Sequence, residues 1–183
     1  MKNQINPRVL FNSLNNIYVQ TRKRPREASE SVMLLSEMLR YQLYDCSKEL
    51  VNLKDEIKYL RNYLELDRIR KSDVTITFDV AGETTNKMVP PFLFIPFVEN
   101  AVKHGAIRGE DAFIDIRFKI LEDSIIFRIT NSKKGHREHE SSGGIGLKNV
   151  RRRLELLYPD AYHLEIKDED NIYSVHLKLS LTE

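Results

Sequence analysis

Hydrophobic residues recur at spacings of three and four in three stretches of the first 70 residues, which predicts three amphipathic helices. The first begins at Asn6-Pro7, a capping side chain followed by proline, and runs to about residue 20. The charged break TRKRPR separates it from a second helix at about 28–44, and a third follows at about 53–70. The apolar stripes contain Leu10, Phe11, Leu14, Ile17, Val32, Leu35, Leu39, Leu43, Ile57, Leu60 and Leu64.

The first two helices are joined by a short polar loop, which predicts an antiparallel helical hairpin. Such a hairpin cannot bury both of its apolar stripes alone. We expect it to pair with the hairpin of a second copy of the chain, forming a four-helix dimer. The alternative is that the hairpin packs against its own domain.

From Val74 onward the pattern changes to alternation with a period of two, interrupted by two helical stretches. The sequence PPFLFIPFVENAVKHG at 90–105 predicts an apolar helix, and a second helix follows the sequence GGIG at 143–146. This half is expected to be an α+β sandwich with a mainly antiparallel sheet. The stripe of the second helix is Leu147, Val150, Leu154 and Leu157. The predicted strands are 74–80, 113–120, 124–130, 162–167 and 173–179.

The composition is that of a globular protein, with 41% hydrophobic and 31% charged residues among 183 and a net charge of +2. This near-neutral charge predicts no nucleic-acid partner, and the basic triplets 22–24 and 151–153 are typical of solvated faces. A single cysteine, Cys46, excludes a disulfide framework and favours a reducing compartment. No apolar run reaches membrane-spanning length and no signal peptide is visible. The abrupt start inside a helix predicts a piece of a longer protein, whose remainder could include a membrane segment.

The predicted helix at 90–105 carries polar side chains beside its apolar face. Asn100, Lys103 and His104 lie three and four residues apart and share one side, Glu99 precedes them, and Gly105 closes the helix. Read alone, this pattern fits a ligand site or a half-buried helix whose polar face is merely solvated.

A glycine-rich helix start lies further along the chain, at Gly143-Gly144-Ile145-Gly146. Backbone amides at a helix N-terminus favour anions, and glycines leave room for a phosphate to approach. A polar stretch at 132–142 precedes these glycines and predicts a mobile lid, while alternation places Asn131 on the inward side of a strand end. Together these features predict a nucleotide site, with adenine on Asn131 and with metal and phosphates on Asn100.

Four segments carry a resemblance to a known family. PPFLFIPFVENAVKHG resembles the N-box of GHKL (Bergerat-fold) ATPases in the form found in sensor histidine kinases, and SGGIGLKNVRRRLELLYP resembles their G2 box. INPRVLFNSLNNI and LKDEIKYLRNYLELDRIR resemble the dimerisation and linker region of LytS/YehU-type sensor histidine kinases of two-component systems. The resemblance implies a dimerisation and phosphoacceptor-like hairpin at 1–50, a linker helix at 51–72 and an ATP-binding domain at 73–183. That domain would be a Bergerat sandwich with a mixed, mainly antiparallel sheet.

The resemblance also implies roles for individual residues. Asn100 would coordinate a Mg²⁺ ion that bridges the ATP phosphates, and Glu99 would be the acid/base partner of the phosphoacceptor. Lys103, His104 and Gly105 would line the phosphate side. The remaining implied ATP-binding residues are Asn131, Gly143, Gly144, Ile145, Gly146 and Leu147.

Two positions depart from the family pattern. The adenine-binding aspartate of the family is replaced by Asn131, whose amide oxygen accepts a hydrogen bond without charge assistance. The family motif Asn-Pro-His-Phe is replaced by Asn-Pro-Arg-Val, so Arg8 stands at the position of the phosphoaccepting histidine. A guanidinium has no lone pair with which to attack a phosphate, and we therefore predict no autophosphorylation of the usual kind.

The resemblance implies a homodimer on the cytoplasmic side of a bacterial membrane. Its partner would be a response regulator, often one with a LytTR domain in this family. A nucleotide-binding pseudokinase that signals by conformation, and a GHKL ATPase that hydrolyses ATP through a Glu99-activated water, are the alternatives. The sequence does not reveal the stimulus.

Overall fold

The computed structural model describes residues 7–70, 74–105, 112–133 and 145–181. The chain forms two compact units, which we describe separately. The first contains Met1–Ser72 with Thr85–Phe92, and the second contains Asp73–Thr84 with Leu93–Glu183. The predicted boundary between a hairpin and a linker helix at residue 50 stays a prediction.

Five α-helices are described, and the first three belong to the first unit. They are α1 (Pro7–Lys23), α2 (Pro25–Leu43), α3 (Leu53–Arg70), α4 (Ile95–Gly105) and α5 (Ile145–Leu157). A short 3-10 turn at Asp45–Ser47 follows α2. None of the described helices combines the length and hydrophobicity needed to cross a membrane.

The predicted loop between α1 and α2 is shorter than expected, since only Arg24 separates the two helices. The charged residues before it continue α1, and the Arg24 amide still donates to the Gln20 carbonyl oxygen at 2.7 Å. Pro25 occupies the first turn of α2, where its missing N–H costs nothing. Proline, and not the run of charges, therefore sets the boundary.

Seven β-strands are described, and two of them form a small ladder in the first unit. They are β1 (Val51–Asn52), β2 (Thr75–Ala81), β3 (Met88–Val89), β4 (Phe113–Ile120), β5 (Ser124–Ser132), β6 (Tyr162–Asp168) and β7 (Ile172–Ser180). Strands β1 and β3 pair antiparallel, which the sequence pattern did not predict. Two-residue strands are too short to show alternation.

A buried cluster joins α2, α3 and the segment after β3 in the first unit. Glu56, in the first turn of α3, is fully buried. Its Oε2 accepts a hydrogen bond from the Tyr41 hydroxyl at 2.5 Å and another from the Phe92 backbone N–H at 3.0 Å. The Tyr41 and Tyr59 rings stack at 5.0 Å, and the Phe92 ring meets both edge-on. The buried Glu56 carboxylate thus accepts hydrogen bonds from two donors within a cluster of three aromatic rings.

Part of the predicted apolar stripe of the hairpin is exposed in the single chain. Ile17 and Leu35 are buried as expected. Phe11, Leu14, Val32 and Leu43 are instead about half exposed or more, at 64%, 47%, 50% and 49%. The hairpin therefore buries only one portion of its apolar surface within its own unit.

The second unit is built on a five-stranded sheet of order β2-β4-β5-β7-β6. Only the β2–β4 pair is parallel, and the other three pairs are antiparallel. The predicted α+β sandwich with a mixed, mainly antiparallel sheet is confirmed. The buried residues of β4, β5 and β7 follow the predicted alternation and form one apolar face.

Helix α4 covers this face, contacting β4, β5 and β7 as well as α5. Phe94, just before α4, meets the rings of Phe118 and Phe127 at 5.1 and 5.0 Å. Each fully buried phenylalanine contributes about 2 kcal/mol relative to an exposed one. Phe97 adds a fourth ring to the cluster. This aromatic core fixes α4 against the sheet.

Two predictions about the helices of the second unit were wrong in detail. Helix α4 begins at Ile95 and not directly after Pro90-Pro91. Phe92 has φ +58, which a right-handed helix cannot contain, and Pro96 falls in the first turn, where proline is tolerated. Leu157, predicted on the buried stripe of α5, is 43% exposed because it ends the helix.

Candidate nucleotide-binding site

Asn131 lies near the end of β5, on the face that α4 covers. The residues two, four and six positions earlier are buried on the same face, and Asn131 itself is 1% exposed. Its inward orientation, predicted from alternation, is confirmed. Its Nδ2 donates a hydrogen bond to the Ser132 carbonyl oxygen at 3.0 Å. This bond fixes the orientation of the amide, with the oxygen at the other end.

The Oδ1 atom of Asn131 is buried and has no hydrogen-bond partner within the described parts of the chain. Leaving a buried acceptor unsatisfied costs about 1–3 kcal/mol. Such an atom is suited to a ligand group that donates a hydrogen bond, and the exocyclic amino group of adenine is one. The residue therefore fits the role predicted for it.

Tyr173 on β7 stands directly opposite Asn131 in the strand register. It shares the inward face with Val175 and Leu177, and its hydroxyl is also buried with no partner among the described residues. Burial, assisted by Asp168, raises the pKa of the Tyr173 phenol to about 12. The sequence analysis missed Tyr173, although a polar tip at an inward position of an alternating strand was a usable signal.

Helix α4 carries the residues predicted for the metal and phosphate side. Glu99 and Asn100 are half-buried and lie between the buried face of the helix and its surface, whereas Lys103 is exposed. His104 and Gly105 form the last two positions of the described helix. Because α4 contacts β5 and α5, the structure gathers the elements that carry the predicted residues into one packed unit.

Helix α5 begins at Ile145. Apart from its chain neighbours and the backbone of its own helix, no atom of the described chain lies within 4 Å of where a Cβ on Gly146 would stand, so packing alone does not require glycine there. Leu147 is buried against the core. Gly143, Gly144 and most of the predicted lid lie outside the described residues.

Within the described ranges there is no group of three or more His, Cys, Asp or Glu side chains that could hold a metal ion. An amide oxygen such as that of Asn100, together with substrate phosphates, is nevertheless a donor set that Mg²⁺ accepts. Arg8 occupies the second position of α1, in the first unit.

The sequence is similar to known sensor histidine kinases. A family model described as histidine kinase matches residues 1–75. The sensor histidine kinase BtsS of Escherichia coli K12 is 30% identical over 173 residues, covering 93% of this chain and 31% of BtsS. The sensor protein LytS of Staphylococcus saprophyticus is 29% identical over 181 residues, covering 91% of this chain and 30% of LytS. The chain thus spans less than a third of the length of these relatives.

Solved structures share the fold at low sequence identity. A blue-light-activated histidine kinase domain of Erythrobacter litoralis has a TM-score of 0.56 at 16% identity, covering 96% of this chain and 94% of that one. The histidine kinase ThkA, in complex with the response regulator TrrA, gives 0.53 at 17%, with coverage of 90% and 51%. ShkA in complex with AMPPNP gives 0.54 at 12%, with coverage of 86% and 37%.

The fold is that of histidine kinase catalytic domains. The chain is similar to sensor histidine kinases of the LytS and BtsS type, and a histidine kinase model matches its first 75 residues, which confirms the resemblance carried by its motifs.

Proposed function

We propose that this chain is the cytoplasmic catalytic portion of a two-component sensor histidine kinase that binds Mg-ATP and signals to a response regulator. Nucleotide binding is supported by the buried Oδ1 atom of Asn131, which has no partner among the described residues. The hydrogen bond from Nδ2 to the Ser132 carbonyl oxygen fixes the orientation of this amide. This oxygen accepts a hydrogen bond from the adenine amino group. Since an amide carries no charge, the bond is weaker than one to a carboxylate.

The residues proposed for the phosphate side of the nucleotide lie on α4 and at the start of α5. Asn100 would hold the Mg²⁺ ion, and Lys103, His104 and Gly105 would line the phosphate side. Gly143, Gly144, Ile145, Gly146 and Leu147 are the other residues proposed for this side, and the N-terminus of α5 at Ile145 favours anions. When bound, Mg²⁺ neutralises charge that develops on the transferred group.

Glu99 is proposed as the acid/base residue that orients the proton of the phosphoacceptor. The usual transfer forms an N–P bond to a histidine and breaks the bond between the γ-phosphorus and its bridging oxygen. Arg8 cannot supply that nitrogen lone pair, because its guanidinium stays protonated at physiological pH. The chain is therefore expected to bind ATP without the usual self-labelling.

The exposed apolar residues of the hairpin support a homodimer. Phe11, Leu14, Val32 and Leu43 belong to the predicted stripe and are at least about half exposed in one chain. A second hairpin would cover them in a four-helix bundle. The other proposed partner is a response regulator, of the kind seen with ThkA, and its LytTR type follows from the sequence resemblance alone.

A second candidate function, a pseudokinase that senses nucleotide and signals by conformation, is favoured specifically by Arg8. It shares the ATP site and the dimer with the first. It differs in requiring no phosphoryl transfer at all.

The test combines a binding and a labelling experiment. Calorimetric titration of the chain with ATP in the presence and absence of Mg²⁺ should show saturable binding that Mg²⁺ strengthens. With γ-labelled ATP, the unmodified chain should stay unlabelled in its first hairpin, while Arg8→His should gain acid-labile label there. Arg8→Gln, which removes the charge without adding a nucleophile, is the matched control and should stay unlabelled.

Each outcome separates the candidates. Label on the hairpin of the unmodified chain would contradict the assignment of Arg8. Failure of Arg8→His to gain label, with ATP binding intact, would favour the pseudokinase. Absence of ATP binding would refute both.

A further inference from the structure

We propose that Tyr173 reads the base of the nucleotide, donating its hydroxyl hydrogen to adenine N1 while Asn131 accepts from the neighbouring amino group. This inference rests on the proposed ATP site and names a specificity-determining residue within it. It arises from the strand register, which pairs the two residues directly.

Tyr173 and Asn131 share one face of the sheet. Asn131 is buried beside Ile129, and Tyr173 is half-buried beside Val175. Directly opposite residues have Cβ atoms about 4.5–5.5 Å apart, so both side chains can reach one planar ligand. Each side chain ends in a buried polar atom without a partner among the described residues, and the alternation of their strands places both on the face that α4 covers.

The local charges explain why the Tyr173 hydroxyl remains available as a donor. The nearest acidic group in the register is Asp168, which lies opposite Tyr173 on β6. The Asp168 carboxylate is engaged by the Lys133 ammonium. Since burial raises the pKa of Tyr173 to about 12, the phenol keeps its proton near neutral pH. The Tyr173 hydroxyl can therefore donate a hydrogen bond to a ligand, because the Asp168 carboxylate is already paired with Lys133.

One acceptor beside one donor matches a specific base edge. Adenine presents a 6-amino donor next to the N1 acceptor, whereas guanine presents a 6-oxo acceptor next to an N1–H donor. The pair formed by Asn131 Oδ1 and the Tyr173 hydroxyl complements the adenine edge, whereas with guanine the Asn131 oxygen would face the 6-oxo oxygen, which is also an acceptor. Sites that leave a buried polar group unpaired reject the wrong ligand strongly. The two residues therefore favour ATP over GTP.

The test is a double-mutant cycle that combines a change in the protein with a change in the ligand. The Kd of each combination is measured by calorimetry on the full chain. Tyr173→Phe should weaken ATP binding about 3- to 10-fold, the effect of one hydrogen bond. Replacing ATP with 1-deaza-ATP should weaken binding to the unmodified chain by a similar factor, and should then leave no further loss in Tyr173→Phe. The preference for ATP over GTP should narrow in the variant.

Two controls keep the result specific. Tyr162→Phe removes a hydroxyl from the neighbouring strand β6 at the other end of the sheet and should leave ATP affinity unchanged. The melting temperature of Tyr173→Phe should be equal to or above that of the unmodified chain, because a buried hydroxyl without a partner is removed.

Equal losses for ATP and 1-deaza-ATP in Tyr173→Phe, or no loss at all, would overturn the assignment of Tyr173 and leave the ATP site standing. Failure of the unmodified chain to bind ATP would overturn the ATP site itself. A loss that appears with 7-deaza-ATP in place of 1-deaza-ATP would also refute the contact to N1.

Discussion

The two units of this chain bury polar groups in different ways. In the first unit most of these groups are paired: Glu56 accepts from Tyr41 and Phe92, and Ser31 donates to Gln20 at 3.0 Å. In the second unit Asn131, Tyr173, Asp115 and His176 each have a buried polar atom with no partner within the described residues, and only the first two belong to the face that α4 covers. Gln42 is an exception in the first unit, because its Nε2 bonds Tyr59 while its Oε1 is unpaired.

Whether a buried polar group is paired distinguishes groups that stabilise the fold from groups that are suited to binding a ligand. A paired buried carboxylate stabilises one arrangement, since removal of either partner leaves the other unsatisfied. An unpaired atom lowers the stability of the protein alone and is satisfied only when something binds. Two such atoms at directly opposite positions of one sheet face are the basis of the proposed nucleotide site. The comparison predicts opposite responses to mutation in the two units.

The largest effect is expected for Glu56→Ala in the first unit. The change leaves the Tyr41 hydroxyl and the Phe92 N–H without an acceptor in a buried cluster, and it opens a cavity. We expect the free energy of unfolding to fall by about 3–4 kcal/mol, measured by urea denaturation.

Glu65→Ala is the matched control for Glu56→Ala on the same helix. Glu65 pairs with Arg68 on the surface of the described part of the chain, and its side chain is 41% exposed. Its removal should change stability by less than about 0.5 kcal/mol. A loss for Glu56→Ala as small as that of the control would show that the buried pairing does not stabilise the unit.

The second largest effect is expected for Asn131→Leu, which should weaken ATP binding but change the stability of the protein little. Asn131→Leu removes the unpaired oxygen and also the bond to Ser132 at 3.0 Å, and these two changes oppose each other. We expect stability to change by less than about 1 kcal/mol. Loss of the adenine contact should weaken ATP binding about 30-fold or more, since the amino group of the base then has no acceptor.

Denaturation and calorimetry on the same Asn131→Leu preparation measure both quantities. Ile129→Leu, a volume-conserving change two residues earlier on the same face, is the control and should retain ATP affinity. A destabilisation comparable to that of Glu56→Ala would remove the distinction between the two units.

How far the sequence could predict these features depends on the range of the interactions. Alternation along β5 was sufficient to place Asn131 inward, because it depends only on neighbours in the chain. The contact of Tyr173 with the same site required the register between β5 and β7, which no local pattern encodes. The Glu56 cluster joins residues 15 and 36 positions apart, so it was equally inaccessible.

The error at the start of α4 had a different cause. The sequence predicts a helix directly after Pro90-Pro91, although Pro96 is tolerated only in the first turn of a helix. The positive φ of Phe92 places the break just before this turn, and the Glu56 carboxylate binds the N–H of that residue. A tertiary hydrogen bond thus stabilises a backbone conformation that local propensity does not favour.

Alkaline pH provides the finest test of the comparison. Burial, then the charge of Glu56 and the hydrogen bond to it, raise the pKa of Tyr41 far above its ordinary value of 10.0. The folded form therefore retains a proton that the unfolded form releases, so this stabilisation is complete below pH 10 and is lost as the pH rises above it. Each such proton contributes a slope of about 1.4 kcal/mol per pH unit. Urea denaturation between pH 9 and 11 should show stability falling only above about pH 10, and Tyr41→Phe should make that fall shallower.

Burial raises the pKa of Tyr173 less, so Tyr173→Phe should change the slope in the same direction over a narrower range. If Tyr41→Phe leaves the slope unchanged, the Tyr41 proton is not held by the Glu56 cluster.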